Sequence, residues 1–163
     1  MKIRGNKAIV TGGSRGIGLK IAKELAEAGV SVVITGRNAD SLSKAAAESG
    51  AVPVVWDISD ISRMKAKFDE CVGILGGFDI LVNNAGVFDP VGWGMGMLNV
   101  TEEDWDRVMD INLKAAFFMM QTAAKYMLEN KIRGNILNIS SVAANEPLQG
   151  PYGASKAGLF GLT

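Results

Sequence analysis

Short apolar runs alternate along the chain with segments in which apolar residues recur every three or four positions. The runs predict strands and the longer segments predict helices. Predicted strands cover 7–10, 31–35, 52–56, 80–82 and 135–139, and predicted helices cover 17–28, 40–48, 62–75, 101–130 and a segment from 152 onward. Such alternation is typical of a parallel sheet with helices on both faces. We therefore predict a single α/β domain over residues 1–163, built as a doubly wound parallel sheet.

A glycine-rich segment, residues 11–18 (TGGSRGIG), lies where the first predicted strand gives way to the first helix. Glycines allow backbone N–H groups to approach a pyrophosphate, and a helix N-terminus adds free donors and the positive end of its dipole. The alternative is a turn that binds nothing. The strand before the segment and the helix after it favour a dinucleotide phosphate site.

Gly36 and Arg37 follow the second predicted strand, and Asp40 comes too late in the chain to serve as the acid described next. Folds that prefer NAD place an acid here, ~20 residues after the glycine loop, to bind the ribose 2′-hydroxyl. Arg37 together with Arg15 favours a 2′-phosphate, and hence NADP(H) over NAD(H). Two solvated surface arginines are the alternative.

Polar residues follow the third and fourth predicted strands, at the edge of the sheet where ligands bind. Asp57 is suited to accept a hydrogen bond from an adenine amino group, or equally to cap the next helix. Residues 83–86 (NNAG) suggest close packing against a ligand, although turn chemistry explains them about as well. The candidate cofactor-binding residues are Gly12, Ser14, Arg15, Gly16, Ile17, Gly18, Arg37, Asp57, Ile58, Asn83, Ala85, Gly86, Tyr152 and Lys156.

Composition removes several kinds of chemistry. Seventeen basic residues balance seventeen acidic ones, so no nucleic-acid or anionic-membrane surface is expected. Histidine is absent and Cys71 is the single cysteine, so imidazole bases, disulfides within the chain and thiolate metal sites are not expected. With no signal sequence and no apolar run long enough to span a bilayer, we expect a cytoplasmic protein.

The predicted helix 101–130 carries an apolar stripe, formed by Trp105, Val108, Ala115 and Met119, which we expect to face the core. Asn112 falls on that stripe, and a buried amide needs a structural or a functional partner. The opposite side is also largely apolar, which predicts a subunit interface. The glycine-rich loop before this helix, residues 87–100, either contacts substrate or covers the core.

Tyr152 and Lys156 are four residues apart and share one face of a helix. A surface pair is the alternative to a catalytic one. A free phenol ionises near pH ~10, and a neighbouring ammonium stabilises the phenolate. Tyr152 would then exchange a proton with a carbonyl or alcohol oxygen while a cofactor carries hydride, and Ser141 would hold that oxygen by a hydrogen bond.

These motifs, in this order, resemble the classical short-chain dehydrogenases/reductases, which have a Rossmann-type fold. The matching segments are 11–18, Asp57, 83–86, Asn112, 138–141 and 152–156. The resemblance implies Tyr152 as acid/base, Ser141 as carbonyl polariser and Lys156 as the residue that tunes Tyr152 and binds the nicotinamide ribose. It also implies that Asn112 holds a water in a proton relay, and that the fourth and fifth helices join subunits into a homodimer or homotetramer. Ser140 is the lesser candidate for the catalytic serine.

The chain departs from the family pattern in two places. The segment 141–152 is about two residues shorter than is common, and the chain stops early in its fifth predicted helix. We therefore expect a molecule lacking its C-terminal strands, with strand 135–139 as an open, apolar edge and with little or no turnover.

The sequence thus predicts an NADP-dependent oxidoreductase that interconverts a carbonyl and a secondary alcohol. One alternative is a non-catalytic module that binds dinucleotide or pairs with a full-length subunit. An epimerase or dehydratase on the same fold ranks lower, because the spacing of Gly12, Gly16 and Gly18 matches the reductase pattern.

Overall fold

The protein is described by a computed structural model that covers residues 6–88, 98–146 and 150–163. Five strands lie in these residues: β1 (Lys7–Val10), β2 (Ser31–Gly36), β3 (Val52–Val55), β4 (Ile80–Asn83) and β5 (Asn135–Asn138). The helices are α1 (Gly16–Glu27), α2 (Ala39–Ser49), α3 (Met64–Leu75), α4 (Glu102–Met109), α5 (Ala115–Glu129) and α6 (Gly150–Gly161). Two 3₁₀ turns, Ile61–Arg63 and Val142–Ala144, and a π-helical turn, Asp110–Lys114, complete the pattern.

The strands form one parallel sheet in the order β3-β2-β1-β4-β5. Strands β2 and β3 lie on one side of β1, and β4 and β5 lie on the other side. The carboxyl ends of β1 and β4 therefore flank the point where the winding direction reverses, which is where such sheets bind ligands. The predicted fold class, a Rossmann-type α/β sheet, is confirmed.

The alternation of side chains along the buried strands divides the core into two layers. Ala8 and Val10 of β1 pack with Ala22 of α1 and Leu42 of α2 on one face. On the other face, Ile9 belongs to the cluster that includes α3 and α5 residues. Helices thus cover both faces, and every strand of this sheet except β5 carries at least one fully or nearly fully buried side chain.

Strand β5 lies at one edge of the sheet formed by the described residues. Its burial is lower than that of the central strands, and Leu137 is 46% exposed. This agrees with the expected open, apolar edge at this strand.

The predicted helix 101–130 is interrupted. A capping box between Thr101 and Asp104 starts α4, but the π-helical turn at Asp110–Lys114 separates α4 from α5. Val108, Ala115 and Met119 are buried as expected, whereas the prediction that Trp105 faces the core is wrong, since it is 45% exposed. Trp105 instead lines a groove against α6, a helix that the periodicity of α4 alone does not reveal. No helix within the described ranges has the length and apolarity needed to cross a membrane.

Candidate active site and cofactor cleft

The glycine loop after β1 has a backbone that other residues adopt only with strain. Gly12 and Gly16 have φ values of +67° and +57°. A Cβ on Gly18 would lie 2.4 Å from the carbonyl oxygen of Gly12, so helix α1 can approach the loop only through a glycine. A Cβ on Gly16 would meet nothing within 4 Å, which leaves its side open to a ligand. The N-cap residue Arg15 makes no side-chain capping bond, so the first N–H groups of α1 suit an anion.

The loop is fixed by the end of the neighbouring strand β4. The Oγ1 atom of Thr11 accepts hydrogen bonds from the backbone N–H groups of Asn84 and Ala85, each at 3.0 Å. The Nδ2 atom of Asn84 donates to the carbonyls of Thr11 at 2.9 Å and Gly12 at 3.1 Å. Sequence reasoning did not identify Thr11 or Asn84 as site residues. Their signal was the position of both at the ends of adjacent strands.

A cleft of about 330 Å³ lies beyond these strand ends. It is lined by most of the predicted cofactor-binding residues: Gly12, Ser14, Arg15, Gly16, Ile17, Gly18, Arg37, Asp57, Ile58, Ala85 and Gly86. The strained glycines, the uncapped helix and the elongated cleft fit the pyrophosphate and ribose groups of a dinucleotide.

Asn83, Tyr152 and Lys156 are the predicted cofactor-binding residues that do not line this cleft, and Asn83 lies farthest from that role. Its Nδ2 atom donates to Oδ1 of Asn138 at 3.0 Å and, more weakly, to the Ala116 carbonyl at 3.5 Å. Because side chains alternate along a strand, Asn83 turns toward β5 and α5, and Asn84 turns toward the glycine loop. Asn83 therefore ties strands together and does not line the cleft.

Asp57 sits at the cleft, and its carboxylate is partly engaged. Its Oδ1 atom accepts bonds from the backbone N–H of Ser59 at 3.1 Å and from the Ser59 hydroxyl at 2.7 Å. This closes a local turn, while Asp60 rather than Asp57 stands at the N-cap of the following 3₁₀ turn. Of the two roles that the sequence left open, helix capping is not the one observed.

Arg15 and Arg37 both line the cleft and are exposed. Within the described residues, no ion pair joins either guanidinium to a carboxylate. Neither guanidinium is therefore paired with a carboxylate in the part of the chain that the structure describes, although Asp57 lines the same cleft.

Lys156 is buried, 5% exposed, and its Nζ atom lies beside Gly86, which lines the cleft. Its Nζ atom donates to the Ile139 carbonyl at 2.8 Å, and its own carbonyl accepts from the Ser140 hydroxyl at 2.9 Å. Burial lowers the pKa of the Lys156 ammonium, because desolvation disfavours the charged form. The Nζ atom lies 5.8 Å from the centroid of the Tyr152 ring, so the expected pair is formed on one side of α6.

Gly86 borders this pair from the β4 side. A Cβ at this position would lie 3.5 Å from the Lys156 Nζ and 3.3 Å from the Asn112 Oδ1. Gly86 also lines the cleft, so Lys156 and Asn112 reach the same end of it.

Asn112 lies in the π-helical turn and is 1% exposed. Its Oδ1 accepts from the Val87 N–H at 2.8 Å, and its Nδ2 donates to the Val87 carbonyl at 2.9 Å and to the Ser155 hydroxyl at 3.2 Å. The amide thus has structural partners that pin the chain after β4 to α6. Ser155, which sequence reasoning missed, completes this junction by donating to the Tyr152 carbonyl at 2.7 Å.

The two serines after β5 have different partners. The Ser140 hydroxyl donates a hydrogen bond to the Lys156 carbonyl. Ser141 caps the 3₁₀ turn, and its oxygen accepts from the Ala143 N–H at 3.2 Å. Because an accepted bond leaves the hydroxyl proton available, this difference favours Ser141 as the donor to a substrate oxygen.

Tyr152 is half-buried, and its ring stacks on Phe88 with centroids 4.0 Å apart and planes at 21°. An apolar groove of about 660 Å³ adjoins the start of α6 and is bordered by the start of α4 and by the turn after Ser141. Residues 89–97, most of the loop expected to contact substrate, lie outside the described residues.

The sequence model of the short-chain dehydrogenases matches residues 6–163. The chain is 38% identical over 165 residues to the 3-oxoacyl-[acyl-carrier-protein] reductase FabG of Staphylococcus aureus (strain Mu50), with 96% of this chain and 65% of that protein covered. It is also 38% identical to the gluconate 5-dehydrogenase of Gluconobacter oxydans, with 99% and 64% covered. A crystal structure of a short-chain type dehydrogenase/reductase from Mycobacterium marinum superposes with a TM-score of 0.90 at 33% identity, covering 99% of this chain and 68% of that one.

These similarities define a Rossmann-type α/β fold of the kind found in short-chain dehydrogenases. The chain belongs to the short-chain dehydrogenase family. It spans about 65% of the length of the S. aureus reductase.

Proposed function

We propose that the protein is an NADP-dependent oxidoreductase that interconverts a carbonyl and a secondary alcohol. The observation that carries the proposal is the buried Lys156 ammonium, 5.8 Å from the Tyr152 ring and beside Gly86 at the end of the cleft. Family membership and the dehydrogenase and reductase names of the relatives support the same class of reaction.

The chain's own residues supply proton transfer and orientation in this proposal. When bound, NADPH supplies the hydride that reduces the carbonyl carbon. Tyr152 gives its hydroxyl proton to the carbonyl oxygen, and Ser141 holds that oxygen by a hydrogen bond. The positive charge of Lys156 stabilises the phenolate left on Tyr152. In the reverse direction Tyr152 removes the proton of the alcohol.

A Tyr152→Phe variant tests the chemistry. Removing the hydroxyl removes the acid/base and leaves the ring, so turnover should fall about 10²-fold to 10⁴-fold. The dissociation constant for NADPH should change less than about threefold, since the cleft lining is intact. Turnover is followed as NADPH oxidation with a panel of ketones, using the protein as its gene encodes it, and binding is followed by NADPH fluorescence.

Two outcomes would contradict this assignment. Turnover in Tyr152→Phe equal to the parent would show that Tyr152 is not the acid/base. NADPH binding by the parent without reduction of any carbonyl would favour the non-catalytic dinucleotide-binding module. We also propose that residues 1–163 form one dinucleotide-binding domain, and NADPH binding to this stretch alone tests that boundary.

The preference for NADP(H) is supported by Arg15 and Arg37, which line the cleft with no acidic partner among the described residues. In an Arg37→Asp variant, repulsion of the 2′-phosphate should raise the NADPH dissociation constant by about tenfold or more, while that of NADH changes less than about threefold. Arg63→Asp, an exposed arginine outside the cleft, controls for the change in net charge. Equal losses for both cofactors in Arg37→Asp would remove the preference.

The proposal extends to assembly and location. The substrate is a small molecule, the location is cytoplasmic, and subunits pair into a homodimer or homotetramer through α4, α5 and α6. Half-exposed apolar side chains on these helices support such an interface, among them Trp105, Phe117 and Phe160.

A further inference from the structure

Phe88 is the second residue after the cleft-lining Gly86, and its side chain meets the proposed acid/base. The Phe88 and Tyr152 rings are stacked, with centroids 4.0 Å apart and an interplanar angle of 21°. Phe88 itself is 45% exposed, so this contact is made at the open side of the site and not in the core.

The backbone that carries Phe88 is fixed from two sides. Val87, the preceding residue, has both its N–H and its carbonyl bonded to the buried side chain of Asn112, at 2.8 and 2.9 Å. The carbonyl of Phe88 accepts a hydrogen bond from Nη2 of Arg107 on α4, at 3.0 Å. These bonds hold an exposed aromatic ring at a defined position over Tyr152.

The Tyr152 ring also has the Lys156 ammonium 5.8 Å from its centroid. A phenol pivots about two side-chain bonds, and the direction of its O–H depends on both. Parallel stacking restrains the plane of the ring, and the fixed backbone of Phe88 supplies the restraint.

We propose that Phe88 is a positioning residue, which holds the plane of the Tyr152 ring and thereby aims its hydroxyl at the reacting oxygen. The role rests on the proposed function of Tyr152. Misplacing a catalytic group by ~1 Å can cost ~10²-fold in rate, so loss of the stack should appear in kcat.

Two substitutions of Phe88 distinguish an effect of ring stacking from an effect of any apolar side chain beside Tyr152. Phe88→Leu keeps an apolar side chain and removes the ring, and it should lower kcat about tenfold with the KM for NADPH within about twofold. Phe88→Trp keeps a flat aromatic face and should retain kcat within about threefold of the parent. A Phe88→Leu kcat equal to the parent, or a rise in the KM for the carbonyl alone, would overturn the positioning role.

A second measurement does not depend on turnover. The chain has two tyrosines, so Tyr152 is the only one left in a Tyr126→Phe background. Flipping of its ring is followed by NMR of the protein labelled on tyrosine. The flip rate should rise when Phe88→Leu is added and stay when Phe88→Trp is added, because only the first removes the stacked ring.

The two measurements distinguish failure of this inference from failure of the proposed function. Identical ring-flip rates in all three proteins would show that the stack does not restrain Tyr152, whatever the turnover. A faster flip in Phe88→Leu, in a protein whose parent reduces no carbonyl, would leave the contact as packing, and the positioning role would fall with the chemistry.

Discussion

Lys156 is held at both ends by two consecutive residues that follow β5. Its Nζ atom donates to the Ile139 carbonyl and its carbonyl accepts from Ser140, so the side chain is placed by backbone and hydroxyl groups and by no carboxylate among the described residues. Within residues 6–88, 98–146 and 150–163, no ion pair therefore neutralises the charge of Lys156. An ammonium in this setting is poised to act on a nearby phenolate.

This burial predicts a specific pH dependence of stability. The pKa of Lys156 is lowered from 10.5 in the folded protein, so between the lowered pKa and 10.5 the unfolded chain binds more protons. The free energy of unfolding should therefore gain a contribution that rises with pH through that window. Denaturant titrations from about pH 8 to about pH 10 should show this contribution in the parent and not in Lys156→Met.

Lys44→Met, at an exposed position on α2, controls for the loss of one lysine. A difference between the parent and Lys156→Met that stays constant over the whole alkaline range would contradict the assigned cause.

At the residue scale, the sequence alone predicts the position of several side chains in the candidate site. The spacing of Tyr152 and Lys156 placed them on one side of a helix, and the coordinates agree. Asn83 and Asn84 show where such reasoning stops, because two adjacent amides point to opposite sides of a strand and only the pairing of β4 decides which one reaches the loop. The roles of Ser140 and Ser141 depend on hydroxyl direction, which composition and spacing do not encode.

At the scale of elements, α1 approaches the glycine loop too closely to admit a side chain at Gly18. A Gly18→Ala methyl would lie 2.4 Å from both the Gly12 carbonyl oxygen and the Asn84 Nδ2, so α1 would have to move. We expect a loss of about 1–3 kcal/mol in the free energy of unfolding, together with weaker NADPH binding. Thermal or denaturant unfolding measures the first effect.

Gly73→Ala is the matched control. Gly73 is exposed within α3, and a Cβ there would meet nothing within 4 Å. The substitution should raise the free energy of unfolding by about 0.5–1 kcal/mol, because alanine favours the helix. Destabilisation of similar size in both variants would show that close packing at Gly18 is not the cause.

The predicted ends of the helices and strands agree with the observed ends to within one or two residues, with one exception. Helix α1 begins at Gly16 and α6 at Gly150, each slightly before its predicted start. The exception is the π-helical turn, because the spacing of Val108, Ala115 and Met119 is also what an uninterrupted helix would show. The turn places Asn112, whose side chain bonds Val87 and Ser155, contacts that the spacing does not predict.

At the scale of the whole molecule, α4, α5 and α6 present the surface proposed to join subunits. A hollow of about 370 Å³ on this surface is bordered by Met109, Leu113, Phe117 and Leu162. A Phe117→Glu substitution would place a carboxylate in a buried contact, so the dissociation constant between subunits should rise about tenfold or more. Sedimentation velocity over a range of concentrations measures the change.

Ile74→Glu provides the comparison, since Ile74 is 45% exposed and Phe117 is 41% exposed, and Ile74 lies on α3 outside the proposed interface. Association that responds equally to both substitutions, or to neither, would place the contact elsewhere.

The π-helical turn has a consequence for comparing this protein with its relatives. A π-helical turn holds about one residue more than an α-helical turn, because its hydrogen bonds join residues i and i+5. A relative with one residue fewer between Met109 and Ala115 would therefore close this turn as ordinary α-helix and still keep Phe117 at the surface and Met119 in the core. Residues before and after the turn should accordingly be aligned as two separate segments, with any one-residue gap placed inside the turn.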